Sequence, residues 1–194
     1  MPYRAFLDAN VLVPARVRDV ILTLAEADIY RVHWSPGVLD EMVKHLPDSM
    51  RPDQVDALLD AMNRAFPDAN SNAVTTIPTE VSSAINAKDQ HVVAAALNTH
   101  ADVLVTDDET LRDEIDDPAF KPTLDAQSAD VFLTYALDVF PAVSTDVLRQ
   151  LVRERWGHPD LDDAEIHARL LAWMRRSGLT AAAGQLEQTW LNTT

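Results

Sequence analysis

The sequence predicts an α/β protein: a parallel sheet covered by helices, followed by an all-helical C-terminal stretch. Three observations carry this. Short apolar, β-branched runs alternate with amphipathic helical runs through the first two thirds of the chain. Acidic residues stand just after two of those short runs, where α/β sheets place their ligand sites. From about residue 141 onward every periodic stretch has helical spacing.

Residues 3–7 (YRAFL) read as a strand ending near Asp8. In 16–29, Val20, Ile21, Leu24 and Ala25 recur at helical spacing. The aromatic and β-branched YRVHW at 30–34 reads as a second strand. Ser35 followed by Pro36 is a helix start, with Ser as N-cap and Pro in the first turn, opening a helix through GVLDEMVKHL. Residues 53–66 form an amphipathic helix, with apolar residues at 55, 58, 59, 62 and 66. The Asn-, Ser-, Thr- and Pro-rich segment 67–88 reads as loops with a possible short helix or strand. Asp89 precedes the helical run HVVAAALNTHA, and ADVLVTDD at 101–108 supplies a buried strand with a polar end.

The segment 109–127 is polar and acidic, with Pro118 and Pro122, and a helix follows over 128–137. The remaining helices end where Gly157 and Gly178 stand as C-caps. The chain is therefore divided into residues 1–140 and a helical extension, 141–194. Trp156, Trp173 and Trp190 in that extension are packing anchors rather than base-stacking platforms.

Composition narrows the function. There are no cysteines, which excludes disulfide scaffolds and thiolate zinc sites and fits a reducing, cytoplasmic setting. No signal peptide and no 18-residue apolar span are visible. Lys plus Arg is 16 against 31 Asp plus Glu, a net charge of -15. A surface so acidic repels phosphate backbones and suits either a metal-requiring enzyme or a basic protein partner.

The candidate chemistry lies in separated acids. Asp8 ends the first strand, where it serves either as a turn or helix cap or as a ligand. Asn10 either caps the next turn or orients Asp8. Glu41 falls beside the apolar stripe of Val38, Leu39, Met42 and Leu46, a position that solvated residues also occupy. Asp89 stands at a helix start, where it also complements the dipole. Asp107 and Asp108 follow the strand DVLVT, and Thr106 offers a hydroxyl to a carboxylate or a phosphate. His91 and His100 are nine residues apart and do not make a paired ligand set. Carboxylates gathered at one sheet edge are not all ionised cheaply without a cation, and an oxygen-only donor set suits Mg²⁺ or Mn²⁺. The matching chemistry is hydrolysis of a phosphate ester, by a nuclease or by a phosphatase.

Two stretches, FLDANVLVPARVRDVILTLAEADIYRVHWSPGVLDEM and KDQHVVAAALNTHADVLVTDDETL, resemble the PIN-domain ribonucleases, and more closely their VapC-like toxin branch. The resemblance covers about residues 4–135. It implies a PIN-like three-layer α/β/α domain with a central parallel sheet over 1–140, plus the helical extension. It places the family's acids on Asp8, Glu41, Asp89 and Asp108, with Asp107 as the alternative fourth acid and Asn10 and Thr106 supporting them. It implies a Mg²⁺- or Mn²⁺-dependent endoribonuclease, the toxin of a toxin–antitoxin pair, with RNA as substrate, a small antitoxin protein as partner and a possible homodimer. Two departures stand out. The strand ends Thr106-Asp107-Asp108, where close relatives often carry Asn, and no Asp-Phe pair follows. Arg16, Arg18 and Lys44 are candidates for an RNA path. The competing reading is a non-catalytic interaction module on the same fold.

Overall fold

The computed structural model describes residues 3–71, 76–116 and 123–193. The rest, including 72–75 of the expected loop segment and 117–122 with Pro118 and Pro122, lies outside the described residues. The chain forms two compact units, a grouping by packing and not by family extent. The first holds Met1–Ala15 and Arg31–Ser128, and the second Arg16–Tyr30 and Ala129–Thr194. The expected three-layer α/β/α core with a central parallel sheet is present, and so is the helical extension.

In the first unit, β1 (Arg4–Leu7), β2 (Arg31–His33), β3 (Val103–Val105) and β4 (Asp125–Gln127) form one sheet in the order β2-β1-β3-β4. Every pair is parallel. Ala5, Phe6, Leu7, Val103, Leu104 and Val105 are all buried, as expected of parallel strands covered on both faces. The helices of this unit are α1 (Ala9–Leu12), α3 (Pro36–His45), α4 (Pro52–Ala65), α5 (Thr79–Ala84), α6 (Gln90–Asn98) and α7 (Glu109–Ile115), with α2 (Ala15–Glu26) running on into the second unit. Ser35 caps α3 through a hydrogen bond from the Val38 N–H at 3.3 Å. The pattern of α6 explains its role: Val92 to Ala96 are all buried, and small side chains let it lie close to its neighbours.

Two elements depart from the sequence expectation. β4 falls in the polar, acidic segment to which the sequence assigns no element; Asp125-Ala126-Gln127 has poor strand propensity and is held by its pairing with β3. α7 starts in the same segment and buries Leu111 and Ile115, an i, i+4 pair.

The second unit holds α2 with α8 (Ala129–Val139), α9 (Pro141–Glu154), α10 (Asp163–Arg176) and α11 (Thr180–Thr193). Gly157 and Gly178 take the left-handed conformation, φ +74° and +82°, that ends α9 and α10. The tryptophans pack: Trp156 meets Trp173 edge-on at 4.9 Å, and Trp190 stacks on His167 at 4.0 Å. The Arg16 guanidinium lies 4.7 Å over Trp156, and Arg18 is buried. Burial takes Arg18 out of the expected RNA path, whereas Arg16 and Lys44 are exposed. No single helix among the described residues is long and apolar enough to cross a membrane.

Candidate metal and phosphoester site

The register of the central strands builds this site. Leu7 pairs with Val105, so the next residues, Asp8 and Thr106, stand side by side at the C-terminal ends of β1 and β3. The Asp8 N–H continues the ladder to the Val105 carbonyl at 3.0 Å. The backbone then turns into α1, which Asp8 caps: its Oδ1 accepts the Ala9 N–H at 2.7 Å. Its Oδ2 accepts from the Thr106 hydroxyl at 2.7 Å and from Asn10 Nδ2 at 2.8 Å. A charge-assisted set of this kind fixes the carboxylate direction.

Asn10 and Thr106 tie the two strand ends together. Asn10 Nδ2 also donates to Thr106 Oγ1 at 2.9 Å, and Asn10 Oδ1 accepts the Asp107 N–H at 3.0 Å. Thr106 Oγ1 accepts the Asp108 N–H at 3.2 Å. Asp107 is exposed. Asp108 is half-buried and caps α7, its Oδ1 accepting the Leu111 N–H at 3.2 Å.

Lys88 joins the remaining acids. Its ammonium lies 3.4 Å from Asp89 Oδ2 and 3.2 Å from Asp108 Oδ2. Asp89 stands at the start of α6 without capping it through its side chain, which leaves the carboxylate to Lys88. His91, one turn on, gives its Nδ1 proton to the Lys88 carbonyl at 2.9 Å. A carbonyl only accepts, so Nδ1 is the donor, and Nε2 lies 3.9 Å from Glu41 Oε2 on α3. Gly37 permits this approach: a Cβ there would stand 3.1 Å from His91 Cδ2.

The electrostatics show that the acids share one field. Burial raises the Asp8 pKa above its ordinary 3.8; the bonds from Thr106 and Ala9 oppose this, and the charges of Glu41 and Asp89 add to it. Burial also raises the Asp89 pKa, against the pull of Lys88 and with further push from Asp108 and Glu114. The Asp108 pKa is lowered, first by the Leu111 N–H and then by Lys88. Lys88 is correspondingly raised by Asp108 and Asp89.

The structure therefore brings Asp8, Glu41, Asp89 and Asp108 to the C-terminal edge of the sheet, with Asn10 and Thr106 bonded to Asp8. Among the described residues, no three His, Asp or Glu side chains form a group that could hold a metal ion in this arrangement. The physical reason is local: both Asp8 oxygens are turned onto neighbouring donors, and Lys88 stands as the counter-charge of two other acids. The donor set itself is all hard oxygen, and its shared negative field is of the kind a divalent cation relieves. Lys88 and Glu114 escaped the sequence reading. Lys88 stands next to Asp89 in the sequence, but its bridge to Asp108 comes from the fold; Glu114 lies in a segment to which the sequence assigns no element.

The model of the PIN domain matches residues 4–110 of the chain. No curated protein and no solved structure matches it.

Proposed function

The chain belongs to the PIN-domain family, and on that premise we propose that it is a divalent-metal-dependent endoribonuclease, the toxin of a toxin–antitoxin pair of the VapC-like branch. The observation that supports this reading most is the strand register that sets Asp8 beside Thr106 at the C-terminal ends of β1 and β3, with the Asp108 N–H bonded to the same Thr106 hydroxyl. In this reading residues 1–140 are the nuclease domain and 141–194 an extension to it.

Asp8 and Asp108 are the primary ligands for Mg²⁺ or Mn²⁺, with Asp107 as the alternative to Asp108, and Glu41 and Asp89 complete the acidic set. Bound there, the ion supplies charge neutralisation at the phosphate and acidifies the attacking water. Lys88 neutralises Asp89 and Asp108 without a metal, and an ion held by these acids would compete with it. Asn10 and Thr106 fix the direction of the Asp8 carboxylate by donating to Oδ2, and an ion would share or displace those donors when Asp8 turns to it. Glu41 accepts a hydrogen bond from the attacking water and aligns it, while His91 beside it bears on the Glu41 charge.

The test is cleavage of single-stranded and structured RNA with Mg²⁺, with Mn²⁺ and with EDTA, for wild type and Asp8→Asn. Cleavage that needs the metal and disappears in the variant supports the reading; full activity in Asp8→Asn would sink it. Comparison with a phosphomonoester substrate separates a nuclease from a phosphatase. The net charge of -15 suits an antitoxin that presents basic residues to this edge, and a homodimer is the second partner proposed. A cytoplasmic setting fits both the absence of cysteine and the RNA substrate.

One observation favours the alternative, a non-catalytic interaction module: Lys88 already compensates two of the four acids without a metal. Saturation with Mn²⁺ that leaves the Lys88 environment unchanged would support that alternative.

A further inference from the structure

The first unit has a second polar cavity, at the other end of its strands. Arg4 opens β1 and Arg31 opens β2, and the two are register partners in a parallel pair. Register partners project from the same face, and like charges set opposite each other repel. His33, two residues beyond Arg31, shares that face. The three side chains line a cavity of about 360 Å³ that Asp68 also borders. Burial, and then the Arg4 charge, lower the His33 pKa; a bond to the Ala69 backbone opposes this, Arg31 adds to it and Asp68 opposes it.

Three features stay uncompensated. Among the described residues, neither guanidinium pairs with a carboxylate, although the chain carries 31 acids to 16 bases. His33 Nε2 is buried without a hydrogen-bond partner among the described residues. So is Oγ of Ser71, which lines the same cavity. Buried polar atoms are satisfied in the great majority of cases, so an unsatisfied pair beside two unpaired guanidiniums signals a missing partner.

We propose that this cavity binds a nucleoside monophosphate, its phosphate held between Arg4 and Arg31 and its hydroxyls directed to Asp68. Two guanidinium forks match the oxygens of a phosphate, and a carboxylate accepts from sugar hydroxyls. Ser71 Oγ donates to a phosphate oxygen, and His33 Nε2 accepts from a ligand hydroxyl. The site stands at the N-terminal ends of the strands, apart from the acidic edge, and the inference holds whether or not the chain is a nuclease.

The experiment is NMR of the full chain without metal, titrated with AMP, inorganic phosphate, adenosine and a five-nucleotide RNA. AMP shifts the amide signals of Asn70, Ser71, Asn98 and Thr99, which line the cavity. Adenosine binds about tenfold more weakly, and Arg31→Gln lowers AMP affinity by about tenfold. Arg31 is exposed, so this variant keeps the strand packing. Asn98→Asp, which adds a carboxylate at the rim, is the second variant and also weakens AMP. No saturable shift with AMP, or wild-type AMP affinity in both variants, overturns the proposal. A shift with the RNA and none with AMP overturns it as well.

Discussion

The two ends of the same parallel sheet differ in how they treat charge. At the C-terminal ends, Asp8 and Thr106 stand in register, and Asp8, Asp89 and Asp108 each have a local answer: backbone N–H groups, the Thr106 hydroxyl, Asn10 and Lys88. At the N-terminal ends, Arg4 and Arg31 stand in register, and neither guanidinium pairs with a carboxylate among the described residues, although Asp68 borders the cavity and Asp102 accepts from the Arg4 N–H. Four residues of strand separate the two ends of β1, about 13 Å. The acidic end is organised before any ligand arrives, while the basic end is left incomplete. A site for a cation can thus be compensated from within by a lysine, whereas the guanidiniums wait for an anion from outside.

The largest expected effect tests the acidic end. Asp108→Asn lowers metal-dependent RNA cleavage by about a hundredfold, and Asp107→Asn by less than about tenfold. The difference follows from Asp108 being drawn to Lys88 and the start of α7, while Asp107 is exposed. Equal losses, or the reverse order, would move the fourth acid to Asp107. Next comes Thr106→Val. It removes the hydroxyl that serves Asp8 Oδ2, Asn10 and the Asp108 N–H, and lowers stability by about 1–3 kcal/mol in chemical denaturation. Lys88→Met sharpens the comparison by removing the internal counter-charge: Mn²⁺ affinity in calorimetry rises about two- to fivefold. Unchanged affinity would show that Lys88 does not compete with the ion.

A pH series separates Asp8 from Asp108. Asp8 has a folded pKa above 3.8, so its contribution to metal-free stability falls as pH rises from 3.8 through the higher folded value. Asp108 is lowered, so its contribution is present above 3.8 and disappears as pH falls through its folded value. The gain in Tm on adding Mg²⁺ therefore increases as pH rises through the Asp8 transition, and Asp8→Asn flattens that increase. The smallest effect is Gly37→Ala. The new methyl displaces the His91 ring by a few tenths of an ångström and moves its NMR signals, with a stability change of about 0.5 kcal/mol or less.

Much of this was legible in the residues themselves. β1, β2 and β3 stand out as short apolar runs, and Ser35-Pro36 and the Gly178 terminus mark helix ends by their chemistry. The acids at strand ends follow from the same reading, because polar residues just beyond buried strands have no packing role. β4 was not legible, since Asp-Ala-Gln owes its extended shape to the β3 backbone beside it and not to its side chains. Lys88 bridging two acids, and Arg4 meeting Arg31, depend on which residues the fold sets in register. Single-sequence periodicity carries no such pairing.

The most direct measurement of the central claim is paramagnetic line broadening by substoichiometric Mn²⁺ on the amide signals of the full chain. One metal site at the C-terminal strand ends predicts selective broadening at Ala9, Gln90, Asp107 and Asp108, with Arg31 and Asn70 sharp. Broadening spread evenly over the acidic surface, or centred away from Asp8, would contradict it.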